Sequence, residues 1–251
     1  MDELIHSGLI LYGGGLYRFQ HDRIQEAAHS LISEQDREAL HAKIGRSVLS
    51  QAPPAELPAK IFYIVDQFNQ AVRLIQSEEE KRLIAGLNLK AGIKAKEATA
   101  YAAAASYLQK GMALLPAQAW TTQYDLTYAL HKEGMICEYL NRNFKKAEWL
   151  FTQITRNAQN RMDRARAYHA MTVLYTNIGK LDAAIDLGLE GVQMFGVRLP
   201  KKCGKLPVLL EILRFKAKLR KIPIETIVDL PLCADKEILS LCELYGGLGL
   251  P

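Results

Sequence analysis

The chain has no paired cysteines, no long apolar run and little proline through its middle, and each lack removes a class of protein. Its four cysteines, Cys137, Cys203, Cys233 and Cys242, include no CxxC pair. A disulfide scaffold or a structural zinc site needs denser, closely spaced ligands, so reduced thiols in a cytoplasmic setting are expected. The N-terminus has no charged-then-apolar leader pattern. No run of about 18 apolar residues occurs, so no membrane-spanning helix is expected. Aromatics are only 8% of residues, and the formal charge is a modest +5. The chain as a whole is not a basic nucleic-acid binder.

What is present favours helix. Alanine, leucine, lysine and glutamate are frequent in the 251 residues. Residues 2–9 read as the end of a helix. Leu9 to Tyr12 and Leu16 to Phe19 read as a β-hairpin closed by Gly13-Gly14-Gly15, whose glycines suit a tight turn. No GK[ST] follows these glycines, so a phosphate-cradling loop is not indicated. From His21 to Ile32, the positions Ile24, Ala27, Ala28, Leu31 and Ile32 share one helical face. A second helix opens at Ser33 with Leu40, Ile44, Val48 and Leu49 as its stripe, and Pro53-Pro54 and Pro58 break it. A helix over about 58–75 carries Ile61, Ile64, Val65, Phe68, Val72 and Ile75.

A long helical tract follows, from about 78 to 196, with a loose internal repeat. Ala104, Ala147 and Ala184 are spaced by 43 and 37 residues. Each sits where the second helix of a hairpin would press on the first. Asn141-Arg142-Asn143 and Asn177-Ile178-Gly179-Lys180 are the intervening turns. This resembles tetratricopeptide repeats, in which hairpins stack into a superhelix, although the spacing exceeds the usual period of about 34. An irregular bundle of hairpins is the alternative. Between Val197 and Ile222 stand nine Lys/Arg and one acidic residue, Glu211. Leu199-Pro200-Lys201-Lys202 reads as a linker and Pro207 to Lys221 as a basic helix ended by Pro223. After a break at Asp229-Leu230-Pro231, one more helix spans 235–248. The basic segment 198–221 suits one more packed helix, an anionic membrane surface or a partner helix.

Catalytic constellations are thin. His21-Asp22, with His29 and His41, outlines an HD-type metal phosphohydrolase, but no second HD-like element supplies further ligands. Asp22 reads more simply as a helix cap. Cys137 and His131 are six residues apart on one helix and so not on one face.

The stretches GLILYGGGLYRFQHDRIQEAAHSLI, EALHAKIGRSVL and IFYIVDQFNQAVRLI carry a family resemblance. So do LNLKAGIKAKEATAYAAAASYLQKGMALL, EYLNRNFKKAEWLF and FGVRLPKKCGKLPVLL. In this order they resemble the helical region that follows the STAND-type AAA ATPase of multidomain signalling proteins. Those proteins begin with a serine/threonine-kinase-like domain and often end in a GAF domain and a two-component histidine kinase. The resemblance covers about residues 5–220. It implies that residues 1–50 are the C-terminal part of a winged-helix module and 51–77 a connecting helix. It further implies TPR-like repeats over 78–196 and a basic linker with further, incomplete helices over 197–251. Both ends read as cuts through a longer protein. The family's nucleotide-binding, kinase and phospho-accepting motifs have no counterpart here.

The expected fold is mainly α: a right-handed, TPR-like superhelix (an α-solenoid) of antiparallel hairpins, with a short N-terminal β-hairpin. The expected role is non-catalytic regulation or scaffolding in signal transduction, without cofactor or metal. The partner is a protein or peptide, such as a neighbouring domain of the same polypeptide, and no nucleic acid is expected. Candidate contact residues are Arg18, His21, Asp22 and Arg23 at the winged-helix end. In a concave groove they are His131, Glu138, Tyr168 and Tyr175, with Asn88 and Lys90 near them, all read as exposed. The rivals are the phosphohydrolase and the ligand-sensing part of a STAND transcriptional regulator.

Overall fold

The computed structural model describes residues 2–13, 16–202, 204–220 and 232–249. It is mainly helical, with thirteen α-helices and one two-stranded antiparallel sheet among the described residues. The Pro223 and Asp229-Leu230-Pro231 breaks fall outside these residues. The chain divides into two compact units, residues 1–91 with 113–115, and residues 92–112 with 116–251.

The first unit starts with a short helix α1 (Asp2–His6), strands β1 (Ile10–Gly13) and β2 (Leu16–Phe19), and α2 (Asp22–Ser30). The strands pair Ile10 with Phe19 and Tyr12 with Tyr17, so the expected hairpin of Leu9–Tyr12 and Leu16–Phe19 is present. The two tyrosine rings sit 4.8 Å apart on one face of this hairpin. Helix α3 (Glu34–Gln51) opens at Ser33, whose Oγ accepts from the Asp36 amide (3.1 Å) and donates to the Asp36 carboxylate (2.7 Å). This reciprocal bonding satisfies an otherwise orphaned donor of the first turn.

Two expectations need correction here. The stripe of α3 is only partly buried: Leu40 is exposed, Ile44, Val48 and Leu49 are half-buried, and the fully covered positions are Ala42 and Gly45. The reason is close approach, since a Cβ on Gly45 would lie 3.2 Å from the Phe68 ring of α4 (Leu57–Gln70). Nor does α4 run to residue 75. It stops at Gln70, a single 3-10 turn spans Val72–Leu74, and Val72 turns outward while Ile75 stays buried. Ile61, Ile64, Val65 and Phe68 form the buried face of α4, as their spacing requires.

The helical tract consists of hairpins. α5 (Glu78–Glu97) and α6 (Tyr101–Ala113) come first, followed by a four-residue helix α7 (Ala119–Thr122). α8 (Tyr124–Leu140) pairs with α9 (Phe144–Asn157), and α10 (Arg161–Asn177) with α11 (Leu181–Gln193). Each hairpin turn contains one left-handed residue: Thr99, Arg142 and Gly179, at φ 59°, 64° and 76°. Glycine takes this conformation without penalty, whereas Thr99 and Arg142 hold it at a cost. Ala104, Ala147 and Ala184 are all fully buried, as expected of small residues at helix contacts. Gly92 goes further, since a Cβ there would come 2.5 Å from Leu108. The core of the second unit gathers Met135, Leu150, Ile154 and Met171 from α8, α9 and α10.

Beyond Gly196, helix α12 (Lys205–Leu219) follows, starting two residues before Pro207. Helix α13 (Lys236–Leu248) is capped by Asp235, whose carboxylate accepts from the amides of Glu237 and Ile238. α13 packs on α10 and α11 through Leu244, which fills the space over Gly191. No helix of the described residues is long and apolar enough to cross a membrane.

Candidate functional site

In the first unit, Arg18, His21, Asp22 and Arg23 are all exposed. Arg18 lies on β2 opposite Leu11. The His21 carbonyl accepts from the amides of Ile24 and Gln25, so His21 holds the cap position. Asp22 is the first helical residue, where its charge meets the positive end of the helix. The apolar side of α2 is left open. Ile24, Ala27, Ala28 and Leu31 join Leu4, Leu9, Ile10, Phe19 and Arg23 around a groove of about 450 Å³. Among the described residues Arg23 is the only charged side chain in its lining, and Leu31 is 87% exposed.

His41 does not join His21. It lies on α3, and its Nδ1 is 2.7 Å from the Gln67 Oε1 of α4. The side chain of His29 is outside the described residues. Among the described residues, no three His, Cys, Asp or Glu side chains gather as a metal site.

The groove set divides between the units, and half of it is buried. Asn88 and Lys90 belong to the first unit. Lys90 is exposed, but Asn88 is fully buried and exchanges hydrogen bonds of 3.0 and 3.1 Å with Asn69 of α4. In the second unit, His131 and Glu138 of α8 are also buried. Each is kept inside by its partners. Glu138 pairs with Lys146 of α9 and accepts from the Asn143 side chain at 3.0 Å, tying off the α8–α9 turn. The Nδ1 of His131 lies 2.7 Å from the Thr127 carbonyl, and its ring packs 4.7 Å from Trp120. Burial holds the imidazole below its ordinary pKa despite that carbonyl.

Tyr168 and Tyr175, both on α10, are half-buried. Tyr168 packs edge-on against Phe151, with its hydroxyl 3.5 Å from Glu190. The Tyr175 hydroxyl donates to Glu148 of α9 at 3.0 Å, and burial raises its pKa far above the ordinary value. Beside it, the Lys180 ammonium lies 5.3 Å from the Tyr175 ring centre and 5.5 Å from that of Phe144. This cation–π bridge joins the turns of two successive hairpins. Cys137 is buried, and desolvation pushes its thiol up to about 11, the opposite of a nucleophile's requirement.

Sequence reasoning missed the principal polar hub, Asp163. Its carboxylate accepts from the Tyr124 hydroxyl (2.8 Å), the Asn160 amide group (2.6 Å) and Arg166 (3.1 Å). The Tyr128 hydroxyl donates to its backbone carbonyl at 2.9 Å. The detectable signal was Asn160 three residues before Asp163 at a helix start, with Asn160 accepting from the Asp163 amide. A second groove, of about 370 Å³, is lined by Asp186, Glu190 and Gln193 of α11 and by Val197, Arg198 and Leu199. Lys201 pairs with Asp186 at 2.6 Å.

No family model and no solved structure matches the chain. Over 237 residues it is 24% identical to hybrid signal transduction histidine kinase G of Dictyostelium discoideum. The match takes in 85% of this chain and 7% of that protein, so the chain spans a small part of its relative's length. The similarity fits a signalling-protein context.

Proposed function

We propose that the chain is a non-catalytic regulatory region of a signal-transduction protein and that it acts by binding a protein segment. The observation that carries this reading is the open apolar groove of the first unit, with Arg23 on its wall. Such a groove fits an apolar helix or strand with an acidic residue to meet Arg23. The partner is a neighbouring domain of the same cytoplasmic polypeptide. Residues 1–50 are then the end of a winged-helix module, 51–77 a connector, and 78–196 a TPR-like superhelix. Buried Ala104, Ala147 and Ala184 at successive hairpins support the repeat reading. The exposed members of the contact set, Arg18, His21, Asp22 and Arg23, form the docking rim. In this reading the concave surface of the hairpins offers Tyr168 and Tyr175, while His131 and Glu138 brace the helices behind it. Binding biases an attached ATPase and kinase between resting and active states.

Calorimetric titration of the chain with the separately expressed polypeptide encoded next to it tests the reading. Binding is expected, and the Arg23→Glu/Leu31→Glu double variant weakens it by about tenfold or more. Absence of binding, or equal binding by the variant, overturns the reading. Metal analysis of the purified chain tests the phosphohydrolase alternative.

A further inference from the structure

Two apolar helix faces of the second unit lie uncovered, and they are neighbours in sequence. Every described side chain of α12 from Lys205 to Lys218 is exposed. Leu206, Leu209, Leu210 and Leu213 share one side of that helix by their spacing, and Leu206 is 66% exposed. A helix rich in apolar residues on more than one side belongs against other elements rather than in water.

α13 is apolar on two sides. Its inner side, with Ser240, Leu244 and Gly247, is buried against α10 and α11. Its outer side presents Ile238, Leu239, Cys242 and Tyr245, all exposed. Gly246 lies on the same side, and a Cβ there would meet nothing within 4 Å. A small residue on an apolar stripe lets a second helix approach closely.

Charge and tether select the occupant. α12 carries Lys205, Arg214, Lys216 and Lys218 against Glu211, and α13 carries Glu237 and Glu243 against Lys236. Residues 220–235 join the two helices, enough chain for one to fold back along the other. A short tether gives the second helix an effective concentration in the millimolar range, which favours a partner in the same chain.

We propose that α12 is an intramolecular strap whose stripe of Leu206, Leu209, Leu210 and Leu213 docks antiparallel on the outer face of α13. The structure holds α12 in the undocked arrangement. Closure adds a further hairpin to the stack and withdraws the basic, apolar surface of α12 from other partners. Release returns that surface, so the strap gates access to it.

Disulfide trapping in the full chain tests this. Native Cys242 marks the centre of the docking face, and Cys203→Ser and Cys233→Ser remove competing thiols. Leu210→Cys or Leu213→Cys is expected to oxidise with Cys242 within one chain, in a yield that dilution does not change. Glu211→Cys, on the opposite side of α12, is expected not to. Disulfide-linked dimers instead would make a second copy the occupant and overturn the proposal. No bond, or equal bonding by Glu211→Cys, would also overturn it. Hydrogen exchange without added cysteines gives an independent reading. Tyr245→Glu is expected to speed exchange of the 206–213 amides by about tenfold, and no change overturns the strap.

Discussion

Single side chains in this protein are telling where polarity is buried. Asp163 gathers Tyr124, Asn160 and Arg166, and its carbonyl takes Tyr128, which ties α8 to the start of α10. Asp163→Ala leaves several donors without acceptors and is expected to cost about 1–3 kcal/mol, read as a lower urea midpoint. Tyr139 behaves oppositely. Its ring packs against Phe144 and Tyr175, but its buried hydroxyl has no hydrogen-bond partner among the described residues. Tyr139→Phe keeps the packing and relieves that burial, so its midpoint should equal or exceed that of the parent chain. His131 makes stability depend on acidity. Its folded pKa lies below the ordinary 6.5 because it is desolvated, so the unfolded chain takes up the proton first as pH falls. Stability therefore rises with pH through the window just below 6.5 and is lost as pH falls across it. Urea midpoints at several pH values across this window should fall more steeply in the parent than in His131→Phe. An equal slope in both would assign the acid sensitivity elsewhere.

Elements show what could be read from sequence and what could not. The hairpin strands, the Ser33 start of α3, the turns at Asn141–Asn143 and Asn177–Lys180 and the buried Ala104, Ala147 and Ala184 follow from local rules, whereas the turn at Thr99 carries no such signal. Periodicity, caps and turn residues carry their own geometry. The failures came where packing partners decide. Leu40 belongs to the apolar stripe of α3 by its spacing, yet it is exposed and Gly45 makes the contact with Phe68. His131 and Glu138 were read as groove residues because they are polar, yet each finds a partner that permits burial. The open groove at Arg23 was also illegible, because it depends on which apolar faces remain uncovered after folding. Two glycines of α5 separate packing from propensity. Gly86→Ala meets open space and gains helix propensity, so a stabilisation of about 0.5–1 kcal/mol is expected. Gly92→Ala places its methyl 2.5 Å from Leu108 and should lose about 1–3 kcal/mol by overpacking. Denaturant titration of the two variants should give shifts of opposite sign.

At the scale of the whole molecule, the division into two compact units governs how far a local change travels. Hairpin stacks are held by nearest neighbours, so a defect weakens its own layer and the adjoining one most. Leu244 is 1% exposed and fills the space over Gly191, joining α13 to the α10–α11 hairpin. Leu244→Ala leaves a cavity there and should cost about 2–4 kcal/mol in that layer. Hydrogen exchange read by mass spectrometry resolves where the loss is felt. Amides of α10, α11 and α13 are expected to exchange faster, while those of α3 and α4, in the other unit, keep their rates. If α3 and α4 accelerate equally, the chain unfolds as one cooperative body. Binding energy at the Arg23 groove would then reach α13 through global stability, and the two open faces could not be regulated independently.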